Sequence, residues 1–114
     1  MESIQKKILR GGIMEDYIDG LDKINIVINI LCKQFNMKKE DLNKFIKKRE
    51  NKYLLLLLLK NYKCLKKEDL EEIKNIINGK MINYNLKKAE EKLLINKDFR
   101  ELYFKMEERL DKII

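Results

Sequence analysis

The sequence contains no proline, no histidine and no tryptophan, and it has only four glycines among its 114 residues. A chain with so few helix breakers favours long helices over a sheet, so we expect an all-α fold. Without histidine, the chain lacks the usual acid–base group at neutral pH and the commonest metal ligand. Its length suffices for one modest hydrophobic core.

Cysteines and long apolar runs are also scarce. The two cysteines, Cys32 and Cys64, have no metal-binding spacing, and we expect both to be buried, reduced thiols of a cytoplasmic protein. The run from Leu54 to Leu59 is far too short to cross a bilayer, and lysines flank it closely. We therefore interpret it as a helix buried on nearly every side, and we expect no membrane partner.

Positive charge is plentiful and concentrated in one part of the chain. The formal net charge is +7, but residues 38–67 contain eleven basic and three acidic side chains, so this stretch alone carries +8. A local concentration of this kind is typical of a surface that binds a polyanion. Codon usage in an AT-rich genome would explain many lysines, but it does not explain their clustering.

The first residues differ from the rest. Arg10-Gly11-Gly12-Ile13-Met14 can be encoded by a ribosome-binding sequence followed by a start codon. We therefore hypothesise that residues 1–13 are a mistranslated leader and that residues 14–114 form the helical domain. The alternative is that residues 1–13 are a flexible, amphipathic extension.

Apolar spacing along the chain predicts about six helices. Asn78-Gly79 is the strongest internal turn signal, and Asn96 is expected to cap the last helix. The predicted helices before that cap cover approximately residues 15–35, 38–46, 52–64, 66–77 and 81–95.

Several strings, in this order, are similar to one known module. The first comprises the predicted helix from Ile26 to Phe35 and the string Glu40-Asp41-Leu42 that follows it. The second is Leu57-Leu58-Leu59-Lys60, together with Leu65 and Leu70. The last two are Lys87-Lys88-Ala89-Glu90-Glu91 and Asn96-Lys97-Asp98-Phe99-Arg100-Glu101. From about Ile24 to Lys112 the chain resembles the C-terminal DNA-binding domain of the bacterial chromosomal replication initiator DnaA. The resemblance implies a single TrpR-like helix-turn-helix domain, with the motif at roughly residues 66–95.

The chain departs from this family where the family reads base sequence. The family's recognition helix opens with Asp-His-Ser/Thr-Thr. Here that place is taken by Asn78-Gly79-Lys80-Met81 or, shifted by three residues, by Met81-Ile82-Asn83-Tyr84. Each missing base contact is worth about 1–3 kcal/mol, so we do not expect recognition of the initiator's own site.

The candidate DNA-binding residues fall into three groups, each of which could instead be ordinary solvated surface. Cations in the basic loop at residues 47–51 and just after it are suited to contact phosphates or the minor groove. Cations at the start of the helix-turn-helix are suited to contact phosphates. In the recognition helix, asparagine can pair with adenine, and lysine can reach guanine or phosphate. The groups are Lys47, Lys48, Arg49 and Lys52; then Lys66 and Lys67; then Lys80, Asn83, Tyr84, Asn85, Lys87 and Lys88.

These patterns predict a helix-turn-helix protein that binds double-stranded DNA, acting in replication or transcription control and needing no cofactor or metal. We see no paired carboxylates and no nucleophile with a base partner, so we do not expect an enzyme. The alternative is a protein-interaction module that keeps the initiator-like fold, has lost DNA binding and contacts a component of the replication machinery. A homodimer through the first or last helix is a weaker option. The sequence leaves the target sequence, protein partner and oligomeric state open.

Overall fold

The structure, a computed structural model, describes residues 20–77 and 82–114. This part of the chain is all-α, as predicted, with six α-helices and two 3-10 turns. None of its helices is long and apolar enough to cross a membrane. The proposed leader, residues 1–13, lies outside the described residues. The helices are α1 (Gly20–Gln34), α2 (Leu42–Phe45), α3 (Arg49–Asn61), α4 (Leu70–Ile77), α5 (Ile82–Ile95) and α6 (Lys97–Asp111), and the 3-10 turns are Lys39–Asp41 and Lys67–Asp69.

Helix α3 lies at the centre of the core. All six leucines from Leu54 to Leu59 are buried, which confirms the prediction of a helix buried on nearly every side. Helices α1, α5 and α6 all pack against it. The apolar faces of α1 and α6 lie inside this core, so the faces that suggested a homodimer are already covered by the chain itself. They consist of Ile24, Val27, Ile28 and Leu31 in α1, and of Phe99, Tyr103, Met106 and Leu110 in α6.

Helix α3 begins at Arg49, three residues earlier than the sequence suggested. The N–H of Lys52 donates to the carbonyl of Lys48 at 3.1 Å, which closes the first helical turn. Asn51, which we predicted to lie in the basic loop, belongs to α3, and its side-chain amide donates to the carbonyl of Phe45 at 2.9 Å. The connection between α2 and α3 therefore consists of residues 46–48 alone, and hydrogen bonds fix both of its ends.

The string Lys-Lys-Glu-Asp-Leu occurs twice, at residues 38–42 and 66–70, and folds the same way both times. In each copy the aspartate N–H donates to the carbonyl of the first lysine at 2.9 Å, forming a 3-10 turn before the next helix. A residue with positive φ precedes each copy: Asn36 (φ 50°) and Lys63 (φ 60°). The same short sequence therefore forms a 3-10 turn after α1 and again after α3.

Helices α5 and α6 meet at a corner made by one residue, Asn96. Its side-chain oxygen accepts the N–H of Phe99 at 2.9 Å, which confirms the predicted cap. At the end of α5, the guanidinium of Arg100 donates to the carbonyls of Leu93 and Leu94 at 3.2 and 3.0 Å. Side chains therefore satisfy backbone groups on both sides of the corner, which fixes its geometry.

Candidate nucleic-acid interface

Four cations gather where α3 begins. Lys47, Lys48 and Arg49 are exposed and Lys52 is half-buried; we call these four residues the basic cluster. The short connection before α3 is held by backbone bonds, because the N–H groups of Lys47 and Lys48 donate to carbonyls of α2. The cations are therefore presented from an ordered turn. Arg49 belongs to the first turn of α3, not to a loop as the sequence suggested.

The basic cluster concentrates positive potential. Backbone N–H groups at a helix N-terminus carry partial positive charge, so each cation there is unfavourable by about 0.3–1 kcal/mol. Among the described side chains, no carboxylate forms an ion pair with any of the four cations. Glu50, the acid in the same turn, is directed to Lys92 of α5 at 3.7 Å instead. This arrangement costs stability in the free protein, and an incoming anion would relieve the repulsion.

Helix α5 presents a polar and basic face to solvent. Four of the predicted recognition residues, Asn83, Tyr84, Lys87 and Lys88, are exposed on it. Asn85 is half-buried, because it lies on the side of the helix next to Leu86, which packs against the core. The structure therefore leaves Asn83 as the more accessible of the two asparagines for contact with a base edge. Lys80 lies outside the described residues.

Within this face, Lys88 is already engaged. Its ammonium lies 5.7 Å from the centre of the Tyr84 ring, and it forms an ion pair with Glu91 at 3.7 Å. Both interactions are on the surface and are worth little individually. They hold Tyr84 and Lys88 together on one side of the helix, while Lys87 has no ion pair among the described residues.

Two ion pairs connect α5 to widely separated positions on α3, from which we infer that the two helices cross. Glu90 and Lys92 are two residues apart and point to opposite flanks of α5. Their partners, Lys60 and Glu50, lie about 15 Å apart along α3 at 1.5 Å per residue. Ala89 lies between the two flanks and is fully buried, and we infer that this small side chain marks the crossing. The sequence did not reveal these pairs, because their members are far apart in the chain.

Two further candidate lysines lie just before α4. Lys66 and Lys67 are exposed at the start of the second 3-10 turn, where they are free to approach phosphate. Lys60, near the end of α3, is also exposed but pairs with Glu90. Lys66 and Lys67 follow the opposite end of α3 from the basic cluster, so the structure does not bring the two groups together, and we assign Lys60 to positioning α5.

A second polar cluster joins α3 to α6, and it is structural in character. The hydroxyl of Tyr62 donates to Asp111 at 2.6 Å and approaches the carbonyl of Glu107 at 3.0 Å. The side chain of Glu107 accepts bonds from Asn61 and Tyr103. Burial raises the pKa values of both tyrosines, and the neighbouring carboxylates raise them further. Both hydroxyls are thus kept protonated as donors.

The thiols and carboxylates of the described residues form no group that could hold a metal ion. Both cysteines are free, as predicted; Cys64 is buried, whereas Cys32 is only half-buried. Burial raises the pKa of the Cys64 thiol to about 11, so it is protonated at neutral pH.

Comparisons with known protein families, with curated proteins and with solved structures found no match. The resemblance to the initiator's DNA-binding domain therefore stays a prediction that rests on the strings quoted above.

Proposed function

We propose that this chain is a cytoplasmic, double-stranded-DNA-binding protein that acts in replication or transcription control. In this proposal α4 and α5 form a helix-turn-helix like that of the initiator's DNA-binding domain. The observation that carries it is the basic cluster, four cations gathered at a helix N-terminus and ion-paired with no described carboxylate. The ion pair between Glu50 and Lys92 ties this end of α3 to α5, the proposed recognition helix.

The two surfaces would have different tasks. The basic cluster would contact phosphates, and Lys66 and Lys67, beyond the opposite end of α3, would form a separate phosphate contact. Such contacts supply affinity and carry no sequence information. The exposed face of α5 would contact base edges, with Asn83 and Lys87 as the side chains chemically suited to adenine and guanine. Because the family's Asp-His-Ser/Thr-Thr string is missing, we propose a weak or altered sequence preference and not recognition of the initiator's site.

The test compares two variants that lose the same charge. Replacing Lys47, Lys48 and Arg49 together by alanine removes three cations from the basic cluster. A matched control replaces three exposed lysines of the α6 region, Lys97, Lys105 and Lys112. Duplex affinity is measured by fluorescence anisotropy at several salt concentrations.

We expect the basic-cluster variant to bind every duplex more weakly, with the slope of log K against log salt reduced by up to about 2.7, or 0.9 per phosphate contact. The control should lose much less of that slope. Equal losses in the two variants would mean that only net charge matters, and the assignment of the basic cluster would then be wrong.

The alternative function is a protein-interaction module in which the initiator-like fold no longer binds DNA. The missing recognition string favours it, and the local charge of +8 over residues 38–67 opposes it. This alternative predicts no duplex binding at low salt beyond that of any weakly basic protein, and in that case the search for a replication partner would come next.

A further inference from the structure

One lysine of the described chain has an unfavourable backbone conformation. Among the described residues other than glycine, Asn36 and Lys63 alone have positive φ angles, 50° and 60°. This left-handed region brings Cβ close to the backbone, and asparagine tolerates it because its short polar side chain can bond locally. Asn36 is therefore well suited to its turn, whereas Lys63 is strained.

The two turns are built in the same way, so they can be compared directly. Each ends its helix with one backbone hydrogen bond that reaches back three residues and one that reaches back five. In the second turn, the N–H of Lys63 donates to Lys60 at 3.0 Å and the N–H of Cys64 donates to Leu59 at 2.8 Å. AT-rich DNA encodes asparagine as readily as lysine, so codon usage does not account for a lysine where the matching turn has Asn36.

The residues on either side of Lys63 prevent its backbone from relaxing. Tyr62 and Cys64 are 9% and 0% exposed, and the Tyr62 hydroxyl donates to Asp111 of α6 at 2.6 Å. A turn held on both sides cannot reach a more favourable φ without unpacking the core. Strained residues persist where the surrounding structure fixes them, and they are found preferentially at functional sites.

The side chain of Lys63 has no structural task within the part of the chain that the structure describes. It is exposed, and it forms no ion pair with a described carboxylate. Its neighbour Lys60 pairs with Glu90 of α5, and α4 begins at Leu70. Lys63 therefore lies within one turn of a contact with α5 and just ahead of α4, the two helices of the proposed helix-turn-helix.

We propose that the ammonium group of Lys63 binds a phosphate of duplex DNA at the end of α3 opposite the basic cluster. This inference rests on the proposed DNA binding and adds to it a residue for which stability has been given up. Lysine is a point charge on a flexible stem, so it can reach phosphate oxygens from several directions. Exchanging Lys63 for asparagine should therefore change stability and DNA affinity in opposite directions, which the loss of an ordinary surface lysine would not do.

The first arm of the test measures stability by urea unfolding without DNA. Lys63→Asn should raise the urea midpoint with no change in the slope m, because the strain is relieved. Asn36→Lys, the reverse exchange in the matching turn, should lower the midpoint. Lys63→Arg keeps both the charge and the strain and should leave the midpoint unchanged. A midpoint that does not rise in Lys63→Asn would remove the evidence of strain and overturn the proposal.

The second arm measures duplex binding by fluorescence anisotropy at several salt concentrations. Lys63→Asn should reduce the slope of log K against log salt by about 0.9, the value for one phosphate contact, and weaken binding roughly fivefold at about 0.15 M salt. Lys63→Arg should retain both the slope and the affinity. Lys105→Asn, which removes one exposed lysine of α6, is the matched control and should lose much less.

The failure of this inference and the failure of the proposed function give different results. Equal losses in Lys63→Asn and Lys105→Asn, with wild type still binding duplex, would overturn the Lys63 contact and leave the proposed function intact. No binding of wild type to duplex at low salt would overturn both, whatever the urea midpoints show.

Discussion

Two buried tyrosines, Tyr62 and Tyr103, donate to carboxylates of α6; the Tyr62 bond to Asp111 joins the end of α3 to α6, whereas the Tyr103 bond to Glu107 lies within α6. Each hydroxyl donates a hydrogen bond to a carboxylate at a partly buried site. A hydrogen bond of this kind contributes about 1 kcal/mol, or more when the acceptor is charged. The cluster thus stabilises the packing of the last helix on the central one.

The raised pKa values of these tyrosines predict a loss of stability in alkali. Free tyrosine ionises near its ordinary pKa of 10.0, whereas the folded protein keeps both hydroxyls protonated above that pH. Above that pH the unfolded state therefore binds fewer protons than the folded state. The contribution of these tyrosines to the free energy of unfolding is fully present below about pH 10 and falls as pH rises, by up to about 1.4 kcal/mol per pH unit for each tyrosine. Tyr62→Phe should lower stability by about 1 kcal/mol at pH 7 and make the alkaline decline shallower. Urea unfolding at a series of pH values measures both effects, and a wild-type profile that is flat to about pH 11 would contradict the assignment.

Asn96 gives a second prediction for a single side chain. It accepts the N–H of Phe99 and is the sole residue between α5 and α6. Asn96→Ala should therefore lower the free energy of unfolding by about 1 kcal/mol, within the usual range of about 0.5–2 for a lost cap. Asn43→Ala, at an exposed position in α2, is the control and should have little effect. Thermal unfolding that does not distinguish the two variants would show that the cap is unimportant.

Among the helices, the crossing of α5 over α3 determines how the proposed recognition face is presented. Ala89 lies at the crossing and two ion pairs flank it. The pairs are on the surface and should contribute little to stability, about 0–1 kcal/mol each. The close approach permitted by the small side chain should matter more for the position of α5.

Ala89→Leu should therefore displace α5, because a larger side chain cannot fit a packed crossing without shifting the helices or straining rotamers. We expect a loss of about 1–3 kcal/mol in stability and, if α5 contacts DNA, a weaker sequence preference with the salt dependence largely retained. Unfolding and duplex binding are measured on the same samples under conditions where the variant stays folded. An unchanged unfolding midpoint would show that Ala89 is not closely packed.

The helices could largely be predicted from sequence, but their ends could not. Six buried leucines in succession leave little choice about α3, and a cap at Asn96 is a local signal. The start of α3 at Arg49 depends on the Asn51 side chain bonding the Phe45 carbonyl, a tertiary detail that polarity alone does not reveal. The repeated Lys-Lys-Glu-Asp-Leu was visible in the sequence and would have predicted two similar turns.

The candidate site was predictable in composition and less so in geometry. The basic cluster falls within residues 47–52, so its members necessarily lie close together. Whether Asn83 or Asn85 faces solvent depends on which side of α5 packs on the core. Lys60 forms an ion pair with Glu90, which is thirty residues away in the chain, and the sequence does not reveal this pair. The exposure of Leu94 and Ile95 could not be inferred, because they resemble core residues until the end of α5 is fixed.

For the molecule as a whole, the distribution of charge matters more than its total. The +7 of the chain is exceeded by the +8 of residues 38–67, so the remainder is close to neutral. A protein that binds phosphates through one surface should have this polarity, and its affinity should depend on salt more than on sequence.

The measurement that tests this account most directly is anisotropy with two duplexes of equal length, one carrying an initiator site and the other its scrambled sequence, across a series of salt concentrations. The account predicts binding to both with similar affinity, and a linear fall of log K with log salt at a slope of about −0.9 for each phosphate contact. No binding to either duplex at low salt, or binding that is insensitive to salt, would contradict it.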